Sequence, residues 1–129
     1  MVVNLEKFEI YRIKDMYDNG RLKIDNMSDI SYLYCRNVIG SILNNYTQVI
    51  PLLIEDKFGN FRVVSGCDYL ACILKFINDE ISYVEDRNFI SYKNLNALQR
   101  NKIEDFKIMC NIVLHTDYNY ISKYILIGE

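Results

Sequence analysis

The chain has 129 residues, enough for one domain with a buried core but with little room for a second, so we predict a single domain over residues 1–129. A formal net charge of −2 disfavours nucleic acid as a partner, because a broad basic surface is missing. No apolar stretch reaches the ~18 residues of a membrane span, and no signal-peptide pattern is present, so we expect a cytoplasmic protein with no membrane partner.

The four cysteines, Cys35, Cys67, Cys72 and Cys110, form no C-x-x-C pair, and a single histidine is available to join them. This spacing excludes the usual structural zinc sites, and a disulfide framework is not expected in a cytosolic chain. We therefore predict no metal site, and we expect most of the thiols to be small core residues.

The first third of the chain predicts a helix, a short strand and a second helix. Apolar residues at helical spacing indicate a helix over 9–18, which Asn19-Gly20 ends, and 21–24 is a strand candidate. A polar cluster over 25–29 can cap a second helix over 30–44. The expected core-facing stripe of that helix consists of Ile30, Leu33, Tyr34, Val38, Ile42 and Leu43.

The middle third predicts a hairpin that leads into a helix. A buried strand over 48–55, a loop over 56–60 and a strand over 61–64 should pair antiparallel. Ser65-Gly66 then forms a tight turn, and an amphipathic helix opens at Cys67. Its predicted core face is the i, i+3, i+4, i+7 set of Leu70, Ile73, Leu74 and Ile77.

The last third is less regular at first. Residues 80–94 contain a candidate strand over 87–92, and a helix over 95–106 follows. Residues 107–115 alternate, with Ile108, Cys110, Ile112 and Leu114 on one face, and Thr116 is expected to cap a last short helix. The whole order predicts an α/β (α+β) domain with a small mixed sheet flanked by helices.

Several segments together resemble a known family. They are GSILNN, QVIPLLIED, KFGN, FRVVSG and YLACILKFINDEI, preceded by FEIYRIKDMYDNGRLKID and followed by LNALQRNKIEDFKIMCNIVL. Over roughly residues 5–127 the chain is similar to the ParB/sulfiredoxin-like N-terminal domain of modification-dependent (type IV) restriction endonucleases. The resemblance implies that fold for the whole chain.

In that family an Asp-Gly-Gln-Gln-Arg motif binds a nucleoside triphosphate and helps to hydrolyse it. The matching residues here are Ser65, Gly66, Cys67, Asp68 and Tyr69, which keep only the glycine. The family's Gln-Arg after the first strand is matched by 26–29, which has no arginine. The resemblance therefore implies a degenerate motif. We predict no bound cofactor, and the alternative is a nucleotide with Mg²⁺.

The residues of the turn have a structural interpretation. Ser65 and Asp68 have the spacing of a capping box, with Ser65 as N-cap, and Asp68 would place a carboxylate where a phosphate would otherwise bind. The alternative is that Gly66 still binds phosphate, with Arg36 and Arg62 replacing the lost arginines. If both arginines instead point outward, as strand alternation suggests for Arg62, they cannot bind a phosphate at Gly66.

Cys67 has two interpretations. Sulfiredoxins carry a nucleophilic cysteine at this turn, followed by His-Arg, and a helix N-terminus favours the thiolate. Here Asp68 follows Cys67, the His-Arg pair is missing, and Cys67 has the helical spacing of Leu70 and Leu74. The spacing favours a thiol packed in the core over a catalytic one.

Tyrosine accounts for 11 residues, including Tyr118, Tyr120 and Tyr124 near the C-terminus. Tyrosine is common at protein–protein interfaces, so these three are interface candidates for a protein partner or for self-association. The leading hypothesis is a non-catalytic binding module derived from a nucleotide-hydrolysing domain, such as a phage or mobile element could use against host defence. The alternatives are a nucleotide-binding or hydrolysing domain with rewired phosphate ligands, and a Cys67-dependent thiol enzyme of sulfiredoxin type.

Overall fold

A computed structural model describes residues 3–25, 27 and 29–117 of the chain. The elements in chain order are β1 (Asn4–Glu9), α1 (Ile10–Asp18), β2 (Leu22–Ile24), α2 (Tyr32–Leu43), β3 (Leu52–Glu55), β4 (Phe61–Ser65), α3 (Cys67–Ile77), β5 (Tyr83–Glu85), β6 (Asn88–Ile90), a 3₁₀ helix (Tyr92–Asn94), α4 (Ala97–Asp105) and β7 (Lys107–Leu114). This is an α+β fold, which confirms the predicted class.

The five-stranded sheet has the order β1-β7-β3-β4-β2 and is mixed, as predicted. β1 pairs antiparallel with β7 and β3 pairs antiparallel with β4, whereas β3–β7 and β4–β2 are parallel. The predicted β3–β4 hairpin is therefore confirmed. β5 and β6 form a separate antiparallel hairpin.

Helix α3 is the central helix of the core. Its predicted face of Leu70, Ile73, Leu74 and Ile77 is buried, but so are residues on its other sides, including Cys72 and Phe76. The helix contacts α2 on one side and the 3₁₀ helix on another. A helix buried nearly all round needs apolar residues on every face, which explains why this stretch is richer in them than an amphipathic helix requires.

The predicted stripe of α2 was partly wrong. Cys35, Val38, Ile39 and Ile42 are fully buried, whereas Leu33 is 63% exposed. The buried set has the spacing i, i+3, i+4, i+7, and Leu33 lies off that face. The helix is capped by Ser31, whose side chain accepts a hydrogen bond from the Tyr34 N–H at 3.1 Å, and not by the polar cluster over 25–29.

Four strands also differ from the prediction. β1 was not predicted, because only Phe8 of this edge strand is buried and no alternation marks it. β3 begins at Leu52, since Pro51 has no N–H for a ladder, although its carbonyl accepts from the Asn111 N–H at 2.9 Å. β5 was missed, and β6 is shorter than the candidate strand over 87–92.

At the end of β7, Ile108, Cys110 and Ile112 are buried as predicted, but Leu114 is 50% exposed. Residues 115–117 have helical backbone, so Thr116 lies inside a helical turn and does not cap it. The rest of the predicted last helix, with Tyr118, Tyr120 and Tyr124, lies outside the described residues. None of the helices in the described part of the chain is long and apolar enough to cross a membrane.

Candidate functional site

The turn between β4 and α3 depends on Gly66. Gly66 has φ 80° and ψ 20°, a left-handed conformation that glycine adopts without the steric cost of a Cβ. A Cβ at this position would lie 3.0 Å from Pro51 Cα and 3.1 Å from Pro51 Cβ. Both the backbone conformation and the close contact with Pro51 therefore require glycine here.

Gly66, and not Ser65, is the N-cap of α3, and it offers no side-chain cap. The predicted capping box of Ser65 and Asp68 is wrong, because the left-handed turn at Gly66 starts the helix one residue later. A capping box is present instead at α4, where Asn96 and Gln99 exchange hydrogen bonds of 2.8 and 3.2 Å. Asp68 lies exposed in the first turn of α3, where a carboxylate interacts favourably with the helix dipole.

An open cleft of about 640 Å³ lies at this turn, and we call it the turn cleft. It is lined by residues 64–69 together with Met27, Tyr34 and Val49. Among the described residues that line it, Asp68 is the charged one, and lysine and arginine are absent. The turn cleft therefore lacks, within the described chain, the cations that bind phosphate in the resembled family.

The two arginines predicted to replace the lost phosphate ligands lie elsewhere. Both are exposed, as expected for outward-pointing residues. Arg36 lines a groove between α2 and the β5–β6 hairpin, and Arg62 lines a depression with Lys23 and Asp56. Arg62 also lies 4.0 Å from the carboxylate of Asp25. Neither arginine joins Gly66 in the turn cleft, so the structure does not assemble the predicted set of rewired ligands.

Cys67 lines the turn cleft but is partly buried against the core. Its Sγ donates a hydrogen bond to the Val63 carbonyl at 3.6 Å, a contact that requires the protonated thiol. Cys35, Cys72 and Cys110 are fully buried, which confirms that most of the thiols are core residues. Burial raises the pKa of the Cys110 thiol to about 12. The described residues contain no cluster of three or more histidine, cysteine or acidic side chains able to hold a metal ion.

Two tyrosines lie behind the turn cleft. Burial raises the pKa of the Tyr34 phenol, and Cys72 and Asp68 act in the same direction. Burial also raises the pKa of Tyr69 to about 12. Tyr69 is only 1% exposed, and its hydroxyl has no hydrogen-bond partner among the described residues. The lining of the turn cleft thus includes a buried hydroxyl, that of Tyr69, without a hydrogen bond to another described residue.

We expect Tyr69→Phe to raise the free energy of unfolding by about 1 kcal/mol, because a buried hydroxyl without a partner costs about 1–3 kcal/mol. Urea unfolding of the variant and the wild type measures the difference. Tyr92→Phe is the matched control, since the Tyr92 hydroxyl donates to Glu104 at 2.7 Å and its loss should lower stability. Equal destabilisation by the two substitutions would show that the Tyr69 hydroxyl has a partner after all.

A second apolar surface feature is the groove that contains Arg36, which we call the hairpin groove. It has a volume of about 360 Å³ and is lined by Tyr32, Leu33, Arg36, Tyr83, Val84 and Phe89. Four of these are large hydrophobic residues with more than half of their surface exposed, at 68% for Tyr32, 63% for Leu33, 53% for Val84 and 65% for Phe89. Val84 and Phe89 are directly paired across the hairpin, so they share one face.

Sequence reasoning missed the hairpin groove. Leu33 was assigned to the core, and β5 was not predicted. One signal was available, since Leu33 lies outside the regular i, i+3, i+4, i+7 set that starts at Cys35. An apolar residue off the core face of a helix is a candidate for an interface.

Comparison with family models, with curated proteins and with solved structures finds no match to this chain. The resemblance to the ParB/sulfiredoxin-like domain therefore stays a prediction.

Proposed function

We propose that this chain is a non-catalytic binding module that docks another protein chain in the hairpin groove. The observation that carries the proposal is the concentration of Tyr32, Leu33, Val84 and Phe89, each more than half exposed, on the two walls of one groove. Contiguous apolar patches larger than a few hundred Å² are uncommon on soluble monomers, and such patches mark interaction surfaces. Aromatic side chains are also the residues that dominate binding energy at protein interfaces.

The electrostatics of the turn cleft supports binding over nucleotide hydrolysis. A triphosphate needs cations and free donors to offset its charge. The charged residue among the described lining of the turn cleft is Asp68, which is an anion. The cations Arg36 and Arg62 lie in two other depressions. A carboxylate in place of an arginine repels phosphate, which disfavours the nucleotide-binding alternative.

The origin and the biological target are a further part of the proposal. The resemblance to a defence-related domain with an eroded motif is consistent with a phage or mobile-element protein that blocks host defence. In that case the docked chain would belong to the host's machinery. This part rests on the resemblance alone, whereas docking in the hairpin groove rests on exposed residues.

Selection of short random peptides on the immobilised protein tests the proposal. We expect peptides that bind the wild type and lose binding to Leu33→Asp and Phe89→Asp, because a buried carboxylate in the groove is costly. Leu98→Asp is the matched control, since Leu98 is 78% exposed on α4, outside the hairpin groove. Peptides that bind all variants equally, or none, would contradict docking in the groove.

The nucleotide-binding alternative has its own readout. A ligand that binds only the folded state raises the melting temperature. We expect no rise with ATP, CTP, GTP or UTP in the presence of Mg²⁺. A rise that is lost in Gly66→Ala but kept in Leu33→Asp would favour the nucleotide-binding alternative, with the nucleotide in the turn cleft.

A further inference from the structure

We propose that the depression around Lys23 and Arg62 is a binding site for a small organic acid, with its carboxylate at the two cations and an apolar body beside them. We call this feature the basic depression. It has a volume of about 370 Å³, and its lining includes Lys23, Ile54, Asp56, Arg62 and His115. These residues are not part of the hairpin groove, so the proposal goes beyond the docking function and does not depend on it.

The register of the sheet places three of these side chains in one row. Lys23 of β2 pairs directly with Arg62 of β4, and Arg62 pairs directly with Ile54 of β3. Residues in direct register on neighbouring strands point to the same face of the sheet, and neighbouring strands lie about 4.8 Å apart. The row therefore begins with two adjacent cations and continues to an apolar side chain one strand further on. Backbone pairing fixes this order.

The two cations are unfavourable neighbours unless an anion lies between them. Like charges directly opposite each other on neighbouring strands destabilise a sheet. Lys23 and Arg62 are both exposed, and Arg62 lies 4.0 Å from the carboxylate of Asp25, with both side chains more than half exposed. Such an exposed ion pair contributes little. A ligand carboxylate would interact with both cations, and the guanidinium of Arg62 has parallel N–H donors that match its two oxygens.

The carboxylate within the basic depression already has partners in its own loop. The Oδ1 atom of Asp56 accepts hydrogen bonds from the Phe58 N–H at 2.8 Å and from the Asn60 N–H at 3.0 Å. Within the described chain Asp56 forms no ion pair with Lys23 or Arg62. Asp56 therefore stabilises the loop between β3 and β4, and it does not neutralise the two cations by direct contact.

The charges of the lining indicate a singly charged ligand. Lys23 and Arg62 supply two positive charges and Asp56 one negative charge, so the described lining has a net charge of +1 when His115 is neutral. A single carboxylate matches this charge, whereas a triphosphate carries several negative charges and would be repelled by Asp56. The expectation that nucleotides leave the melting temperature unchanged therefore also holds for this site.

The apolar body of the ligand follows from the position of Ile54. Ile54 lies one strand beyond Arg62 in the same row, so a ligand with its carboxylate between Lys23 and Arg62 extends over Ile54. An apolar wall lowers the local dielectric constant, which strengthens the interaction of the carboxylate with the cations. A few polar groups beside an apolar wall are typical of sites for small molecules.

NMR of the backbone amides of the ¹⁵N-labelled chain, titrated with sodium benzoate at constant ionic strength, tests the proposal. We expect saturating shifts in β2 and β4, and we expect Arg62→Gln and Lys23→Gln each to weaken the affinity by roughly tenfold, because each loses a charge-assisted hydrogen bond. Asp25→Asn should strengthen the affinity by about two- to fivefold, since its carboxylate competes for Arg62. Lys102→Gln removes an exposed cation on α4, and as the control for net charge it should leave the affinity unchanged.

The same spectra show whether each variant is folded, so a lost response is not confused with unfolding. Shifts that do not saturate, or an affinity that is equal in the wild type and in both glutamine variants of the cation pair, overturn the site. Sodium acetate should bind several-fold more weakly than benzoate, because it has no body to cover the apolar wall. Equal binding of acetate and benzoate overturns the apolar part of the assignment. Inorganic phosphate that binds at these amides more tightly than benzoate overturns the assignment to a carboxylate.

Discussion

Gly66→Ala is expected to lower the free energy of unfolding by about 2–4 kcal/mol. A left-handed backbone costs an L-residue about 1–2 kcal/mol, and forcing an extra carbon into a packed site costs about 1–3 kcal/mol. Both terms apply, because Gly66 has φ 80° and its Cβ would lie 3.0 Å from Pro51 Cα, a backbone atom that cannot rotate away. Thermal and urea unfolding measure the loss, which should lower the melting temperature by about 10 °C.

Substitutions at two other glycines separate the cost of the left-handed backbone from the cost of the contact with Pro51. Gly20 has φ +74° but nothing lies within 4 Å of its Cβ position, so Gly20→Ala should show the backbone cost alone. Gly40 lies within α2 with open space around it, and Gly40→Ala should stabilise by about 0.5–1 kcal/mol. If Gly66→Ala destabilises no more than Gly20→Ala, the contact with Pro51 does not constrain the turn.

Phe76→Ala is expected to have a comparable or larger effect, about 3–5 kcal/mol in the free energy of unfolding. Phe76 is fully buried in α3, and its ring centroid lies 5.8 Å from that of Tyr83 and 6.1 Å from that of Tyr92. Aromatic pairs at such distances contribute beyond the area that they bury. The ring therefore connects the central helix to β5 and to the 3₁₀ helix. Urea unfolding measures the loss.

Phe58→Ala is the control for Phe76→Ala, because Phe58 is 74% exposed in the β3–β4 loop and its loss should change stability by about 0.5 kcal/mol or less. Since Tyr83 also lines the hairpin groove, Phe76→Ala should weaken groove-dependent peptide binding even where the protein is still folded. Unchanged peptide binding by the folded variant would show that the hairpin holds its position without Phe76.

The turn cleft and the hairpin groove differ in the observations that support each as a binding site. The turn cleft includes a constrained point of the backbone, since Gly66 is left-handed and a Cβ there would meet Pro51. Its charged described residue is a carboxylate, whereas phosphate binding needs cations. The hairpin groove has four exposed apolar side chains, those of Tyr32, Leu33, Val84 and Phe89, beside the buried Tyr83. Burial of those side chains by a partner would remove apolar surface from water, which is the main source of favourable free energy in association.

The sequence alone determined the elements whose signals are local. The helical period over α1 and α3, the Asn19-Gly20 stop and the alternation of β7 depend on neighbouring residues, and each was predicted close to its observed bounds. The antiparallel β3–β4 pairing also followed from a short loop between two apolar runs. The mixed α+β class was then a consequence of the element order.

Tertiary structure decided what depends on residues far apart in the chain. β1 is a strand because β7 pairs with it, and Leu33 is exposed because the packing of α2 buries Cys35 and Ile39 instead. The N-cap is Gly66 and not Ser65, because the left-handed backbone at Gly66 starts the helix at Cys67. The hairpin groove lies between α2 and the β5–β6 hairpin that follows α3, so its two walls come from segments far apart in the chain. Burial is a property of the packed chain, and a periodic pattern specifies a face without specifying which surface will cover it.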